Sequence, residues 1–108
     1  MEKRRSLIIP PRVDRDLLDI WQFGAERWSP ETADKHLDRI KEAAEWLCEW
    51  PFSGKPRNQI RPGLHSVVVN PHIIFYRVIP HDVELVRVLH HSQEIDLILQ
   101  AEKLRDVQ

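Results

Sequence analysis

A chain of 108 residues suits a single domain, here taken as 1–108, built around one core. Its 42% apolar and 31% charged residues are those of a globular protein and exclude a disordered chain, while a net charge of −1 hides an uneven distribution. No apolar run approaches a membrane span, and Leu7 to Ile9 is too short a run for a secretory signal, so a cytoplasmic protein is expected.

In chain order, "SLIIP" predicts a short strand over Ser6 to Ile9, closed by Pro10 and Pro11, which cannot donate to a sheet ladder. From Val13 the period becomes helical. Val13, Leu17, Ile20, Trp21, Ala25 and Trp28 form an apolar stripe, with Asp14 and Asp16 in the first turn, where acids favour the helix dipole. Ser29 can cap a second helix, and Pro30 suits its first turn. Its stripe is Ala33, Leu37, Ile40, Ala44, Leu47 and Cys48, and Pro51 ends it. So short a connection predicts an antiparallel helical hairpin. Cys48 is the only cysteine; it has no partner for an internal disulfide and reads as a small core residue. Trp46 and Trp50, four apart, share a face as core-edge packing or as a partner-binding patch.

"PFSGKPRNQIRPG" has loop composition. Three strands follow: Leu64 to Val69, His72 to Ile79 and Val83 to His90, joined by "NP" and "PHD" turns and therefore antiparallel neighbours. The middle one is almost continuously apolar, as a strand covered on both faces should be. The last alternates Val83, Leu85, Arg87, Leu89 with Glu84, Val86, Val88, His90, and the second set is expected to face the core at Val86 and Val88. Ile95 to Leu104 predicts a short amphipathic helix. The predicted class is α+β, with a small antiparallel-rich sheet packed on an N-terminal helical hairpin, in the order β-α-α-β-β-β with a short C-terminal helix.

Charge is unevenly placed. Trp50 to His81 contains no Asp or Glu and carries +4 from Lys55, Arg57, Arg61 and Arg77, which leaves −5 on the rest. Such a segment suits an acidic partner, although a surface loop that lacks acids reads the same way. Motifs for common chemistries are absent. The three glycines lie far apart, so there is no phosphate loop, and no cysteine pair or nucleophile elbow exists. His90 and His91, adjacent at a strand end, are expected to point to opposite faces and not to share a metal; His65, His72 and His81 lie scattered near strand ends. Neither a metal nor a cofactor is expected. The weak catalytic candidates are Arg61, Arg77, Arg87 and His90, which on one sheet face could hold a phosphodiester and move a proton. Arg77 and Arg87 could equally pair with acids such as Glu84.

The chain resembles the ParE toxins of the RelE/ParE superfamily. The resemblance is carried by "DLLDIWQFGAERWSPETADKHLDRI" in the two helices, "WPFSGKPRNQIRPGLHSVVV" with its Arg-Pro-Gly-Leu run, and "HIIFYRV" and "VELVRVLHHSQEID" in the last strands. It covers roughly Leu7 to Leu99. It implies the toxin of a type II toxin–antitoxin module, neutralised by a small ParD-like antitoxin whose DNA-binding half represses the operon. It further implies a protein that poisons DNA gyrase and is not itself an enzyme; contact with nucleic acid would come through the antitoxin complex. RelE-type relatives on the same fold are ribosome-dependent mRNA endonucleases, and a degenerate member would act only in operon autoregulation. The nuclease relatives keep basic groups and commonly a tyrosine in and after the last strand. Here Ser92, Gln93, Glu94 and then Ile98 stand there, and the lone tyrosine, Tyr76, lies in the Phe-Tyr-Arg strand. Many ParE toxins also place arginines after the histidine, where this chain has Ser92 and Gln93. On this reading the residues that meet antitoxin or target are Trp21, Trp28, Lys55, Arg57, Arg61, Arg77, Arg87 and His90. An acidic amphipathic tail would lay its apolar side on the hairpin and its acids near Lys55, Arg57 and Arg61.

Overall fold

A computed structural model of the chain describes residues 4–93 and 95–107, with side chains to residue 101. The elements are β1 (Ser6–Ile8), α1 (Pro11–Arg27), α2 (Pro30–Leu47), β2 (Lys55–Pro56), β3 (Leu64–Val69), β4 (His72–Ile79), β5 (Asp82–His90) and α3 (Ile95–Val107). The predicted order holds with one addition. The proline- and glycine-containing loop after α2 includes the two-residue edge strand β2, too short to leave a period-2 signal. The sheet order is β1-β5-β4-β3-β2, all antiparallel except β1, which runs parallel to β5.

Local chemistry explains the hairpin. Pro11 opens α1 at a position whose N–H needs no partner. The N–H groups of Trp28 and Ser29 both reach the Gly24 carbonyl and close the helix, and the Ser29 hydroxyl then accepts from the Thr32 N–H at 3.1 Å to start α2. Gly24 is buried where a Cβ would stand 3.3 Å from the Ala33 Cβ, so the absent side chain lets α1 and α2 approach closely. Trp21 Nε1 donates to Asp34 at 2.8 Å and ties the helices farther along.

The hairpin covers one face of the sheet. Val13, Ile40, Ala44, Leu47 and Cys48 pack there on Ile74, Tyr76, Val83, Leu85 and Val88. The other face carries Leu64, Phe75 and Leu89, covered by Ile60 from the loop and by Leu99 of α3. β4 is central and buried on both sides, as its composition predicts. The strict alternation expected for β5 fails, because β5 has one extra residue opposite β4. Tyr76 pairs with Leu85 and Phe75 with Arg87, so Val86 has no partner. As a result Val83, Leu85 and Val88 all join the hairpin-side core, while Val86 and Leu89 pack on the opposite side.

Two buried polar arrangements lock these layers. Arg87, 4% exposed, meets Asp16, 5% exposed, through Nε–Oδ2 at 2.7 Å and a second guanidinium nitrogen to Oδ1 at 2.8 Å. The Val88 N–H donates to the same carboxylate at 3.0 Å. Asp16 is therefore not a dipole-favouring surface acid; only Asp14 keeps that place, and Arg87 does not pair with Glu84. On the hairpin side of the sheet as well, the buried Tyr76 hydroxyl donates to the Pro51 carbonyl at 2.8 Å and accepts from the Gly54 N–H at 3.0 Å. A Cβ on Gly54 would stand 2.3 Å from that hydroxyl, so this loop needs glycine.

Asp16→Ala leaves a buried guanidinium without its counter-charge and should lower stability by about 3–5 kcal/mol, whereas Asp16→Leu combined with Arg87→Met should recover most of that loss. Tyr76→Phe, which strands one carbonyl and one N–H, should lower it by about 1–3 kcal/mol. Urea unfolding midpoints check both predictions.

Candidate functional site

An open cleft of about 490 Å³ lies where α1, the end of β5 and α3 converge. Arg12, Asp16, Asp19 and Ile20 line it from α1, His72 from β4, and Arg87 and His90 from β5, with Ser92, Gln93 and Ile98 closing the far side. Its position follows from the bridge: Asp16 and Arg87 are at once the lock between hairpin and sheet and the cleft wall.

The end of β5 is tightly arranged. The His90 N–H donates to the Gln93 side-chain oxygen at 2.7 Å, and His90 Nδ1 lies 2.7 Å from the Ser92 hydroxyl. Ser92 and Gln93 thus organise the turn after the strand. β5 ends at His90, and His91 belongs to the turn, held by its N–H to the Pro71 carbonyl at 3.0 Å. The expectation that the two rings point to opposite faces therefore fails: they stack, with centroids 4.5 Å apart. His90 also meets His72 edge-on at 5.6 Å, and His72 meets His36 of α2 at 5.6 Å. His36 in turn meets Trp28 at 5.7 Å. Burial, then the neighbouring His36, His90, His91 and Arg39, lowers the His72 pKa to about 4. Burial and His91 lower that of His90 as well.

The sequence-predicted residues fall into separate places. Arg87 and His90 share the cleft. Arg77 is exposed and bonded to Glu84. Arg57 is half-buried and donates to the Ser66 hydroxyl at 2.8 Å, Arg61 is half-buried in the following turn, and Lys55 is exposed on β2. None of Lys55, Arg57, Arg61 and Arg77 lines the cleft. Trp21 is half-buried against Asp34. Trp28 is 53% exposed at the hairpin elbow, with the Arg27 guanidinium over its ring and Phe23 at its edge. Trp46 and Trp50 are exposed, at 48% and 58%, so they are not core-edge residues.

Sequence reasoning missed Asp16, His72 and His36 as members of the site. A signal for Asp16 was present: it stands three residues after Val13 and four before Ile20, on the apolar stripe. His72 and His36 carried no local signal.

The chemistry available follows from these pairings. Arg87 is neutralised by Asp16, and His72 is neutral at physiological pH, so the cleft offers ring edges and hydrogen-bonding groups over an apolar floor rather than concentrated positive charge. Burial pushes the Cys48 thiol up, and its Sγ bonds to the Ala44 carbonyl, so it is no nucleophile. Among the described residues no group of three or more His, Cys, Asp or Glu side chains is placed to hold a metal ion, and no helix is long and apolar enough to cross a membrane.

Comparison with known proteins places this geometry in context. Toxin ParE1 of Caulobacter vibrioides is 36% identical over 81 residues, covering 75% of this chain and 83% of that protein. Toxin RelE3 of the same organism is 30% identical over 87 residues, covering 80% and 94%. A solved structure titled "Chromosomal ParDE TA system from P. aeruginosa" superposes with a TM-score of 0.71 at 22% identity, covering 81% of this chain and 96% of that one, and shares the fold. Residues 7–95 match the family described as the ParE toxin of the type II toxin-antitoxin system, parDE, and with the relatives above this shows that the chain belongs to the ParE toxin family.

Proposed function

We propose that this chain is the toxin of a type II toxin–antitoxin pair, that it acts in the cytoplasm by binding and inhibiting DNA gyrase, and that a ParD-like antitoxin neutralises it. Membership of the ParE family supports the module. The observation that favours a binding toxin over a nuclease is the state of its arginines. Arg87 is held by Asp16 and Arg77 by Glu84, Tyr76 is a buried loop anchor, and Ser92 and Gln93 are engaged with His90. Phosphodiester cleavage calls for cations available to the substrate beside a proton donor, and among the described residues Arg77 and Arg87 are instead engaged by carboxylates of the same chain.

The likeness to a RelE-named toxin supports a second reading, a ribosome-dependent mRNA endonuclease with His90 as its proton-transfer group. The two separate in one experiment. With purified gyrase and supercoiled plasmid, the toxin should trap cleaved plasmid and leave message intact on translating ribosomes. Message cleavage with no effect on gyrase, abolished by a joint His90→Ala and His91→Ala change, would replace the first reading with the second. Neither effect, with unimpaired growth on expression without antitoxin, would leave operon autoregulation as its role.

The antitoxin's acidic tail is expected to reach the acid-free segment around Lys55, Arg57 and Arg61. Arg57→Glu together with Arg61→Glu should weaken antitoxin binding by about tenfold or more at physiological salt, measured by calorimetry; unchanged affinity would place the acidic tail elsewhere.

A further inference from the structure

Four imidazoles and an indole form a continuous file across the seam between hairpin and sheet. It runs from Trp28 at the elbow through His36 of α2, His72 of β4 and His90 of β5 to His91 of the turn, with successive centroids 5.7, 5.6, 5.6 and 4.5 Å apart. His72 in the middle is 6% exposed. We propose that this file is an acid-sensitive latch on the cleft: neutral rings pack α2, β4 and the turn after β5 together, and proton binding to the buried His72 ring drives these elements apart.

The surroundings decide the sign. From α2, His72 faces His36 and Arg39; from β5 and its turn it faces His90 and His91. The charged groups that share its cleft are Arg12, Asp16 and Asp19 on α1 and Arg87 on β5. Both Asp16 oxygens already accept from Arg87, and Val88 adds a third bond. That leaves Asp19, which also lies 3.9 Å from Arg15, as the only cleft-lining acid outside the bridge among the described residues. A proton on His72 therefore meets mostly cations and neighbouring imidazoles, each of which disfavours it. Its folded-state pKa is depressed, from 6.5 to about 4, so the neutral ring contributes stability that is present above pH 6.5 and is lost as pH falls toward 4. His90 shifts in the same direction.

The test uses the purified full chain and His72→Phe, which keeps a ring between His36 and His90 but cannot bind a proton. Between about pH 7 and about pH 5 the unfolding constant of the parent chain in urea should rise roughly twenty-fold more than that of the variant. Ring-proton NMR of the parent should give His72 a midpoint near 4. Amide exchange at the lower pH, corrected for intrinsic rate, should quicken first around Trp28, His36 and His91 to Gln93. Equal pH slopes in parent and variant, or a His72 midpoint near the ordinary value, would overturn the proposal. So would exchange that quickens evenly along the chain. Should His72→Phe not fold, the titration and exchange of the parent decide alone.

Discussion

The Asp16 carboxylate sits inside the protein with three donors aimed at it: two guanidinium nitrogens of Arg87 and the backbone N–H of Val88. Removing two charges from water costs several kcal/mol per ion, and only good geometry with every oxygen bonded offsets this. The bridge meets that condition, and the remaining architecture follows from it. It fixes the roll of α1 against β5. The bond to the Val88 N–H fixes the height of α1 along the strand, which a charge pair alone would leave free to slide. Because β5 pairs with both β1 and β4, holding β5 holds the sheet, and because α1 and α2 are joined at Gly24 and Ala33, holding α1 holds the hairpin.

Most of the fold was legible because its signals are local. The Ser29–Pro30 start, the two apolar stripes and the turns between the strands each lie within a few residues of what they control. The failures were of a different kind. Arg87 interrupts an otherwise apolar strand set, and Asp16 interrupts an apolar helical stripe. Each is an anomaly on its own element, and only the tertiary structure, which brings together residues 71 apart, shows that they resolve each other. The extra residue at Val86 was illegible for a related reason. A bulge is a property of two strands, and "ELVRV" reads as regular alternation until its partner is known. The histidine file draws on α2, β4 and β5 and leaves no pattern in any one of them.

The charge asymmetry was legible as composition but not as a position in the fold. Lys55, Arg57, Arg61 and Arg77 lie within one acid-free segment, yet the fold sends them to an edge strand, a turn and a central strand, all away from the cleft. A fold alone does not choose between binding and catalysis, so the placement of the charged groups carries information that the scaffold does not. A catalytic centre needs cations that remain available to substrate. Here Arg87 and Arg77 are each already matched to a carboxylate of the same chain.

The parallel pairing of β1 with β5 has a further consequence. Ser6 lies against Asp82, and Asp16 reaches Arg87, so the first strand and the first helix both find their partners near the other end of the chain. The helical hairpin can form from neighbouring sequence, but its buried carboxylate has no counter-charge until residue 87 arrives. A nascent chain still lacking its last strand has an orphan acid on α1, an unpaired β1 and an uncovered apolar stripe. The folded shape therefore waits for β5 to be made. For a toxin this means that no partial chain lacking β5 presents the finished surface a partner would have to recognise.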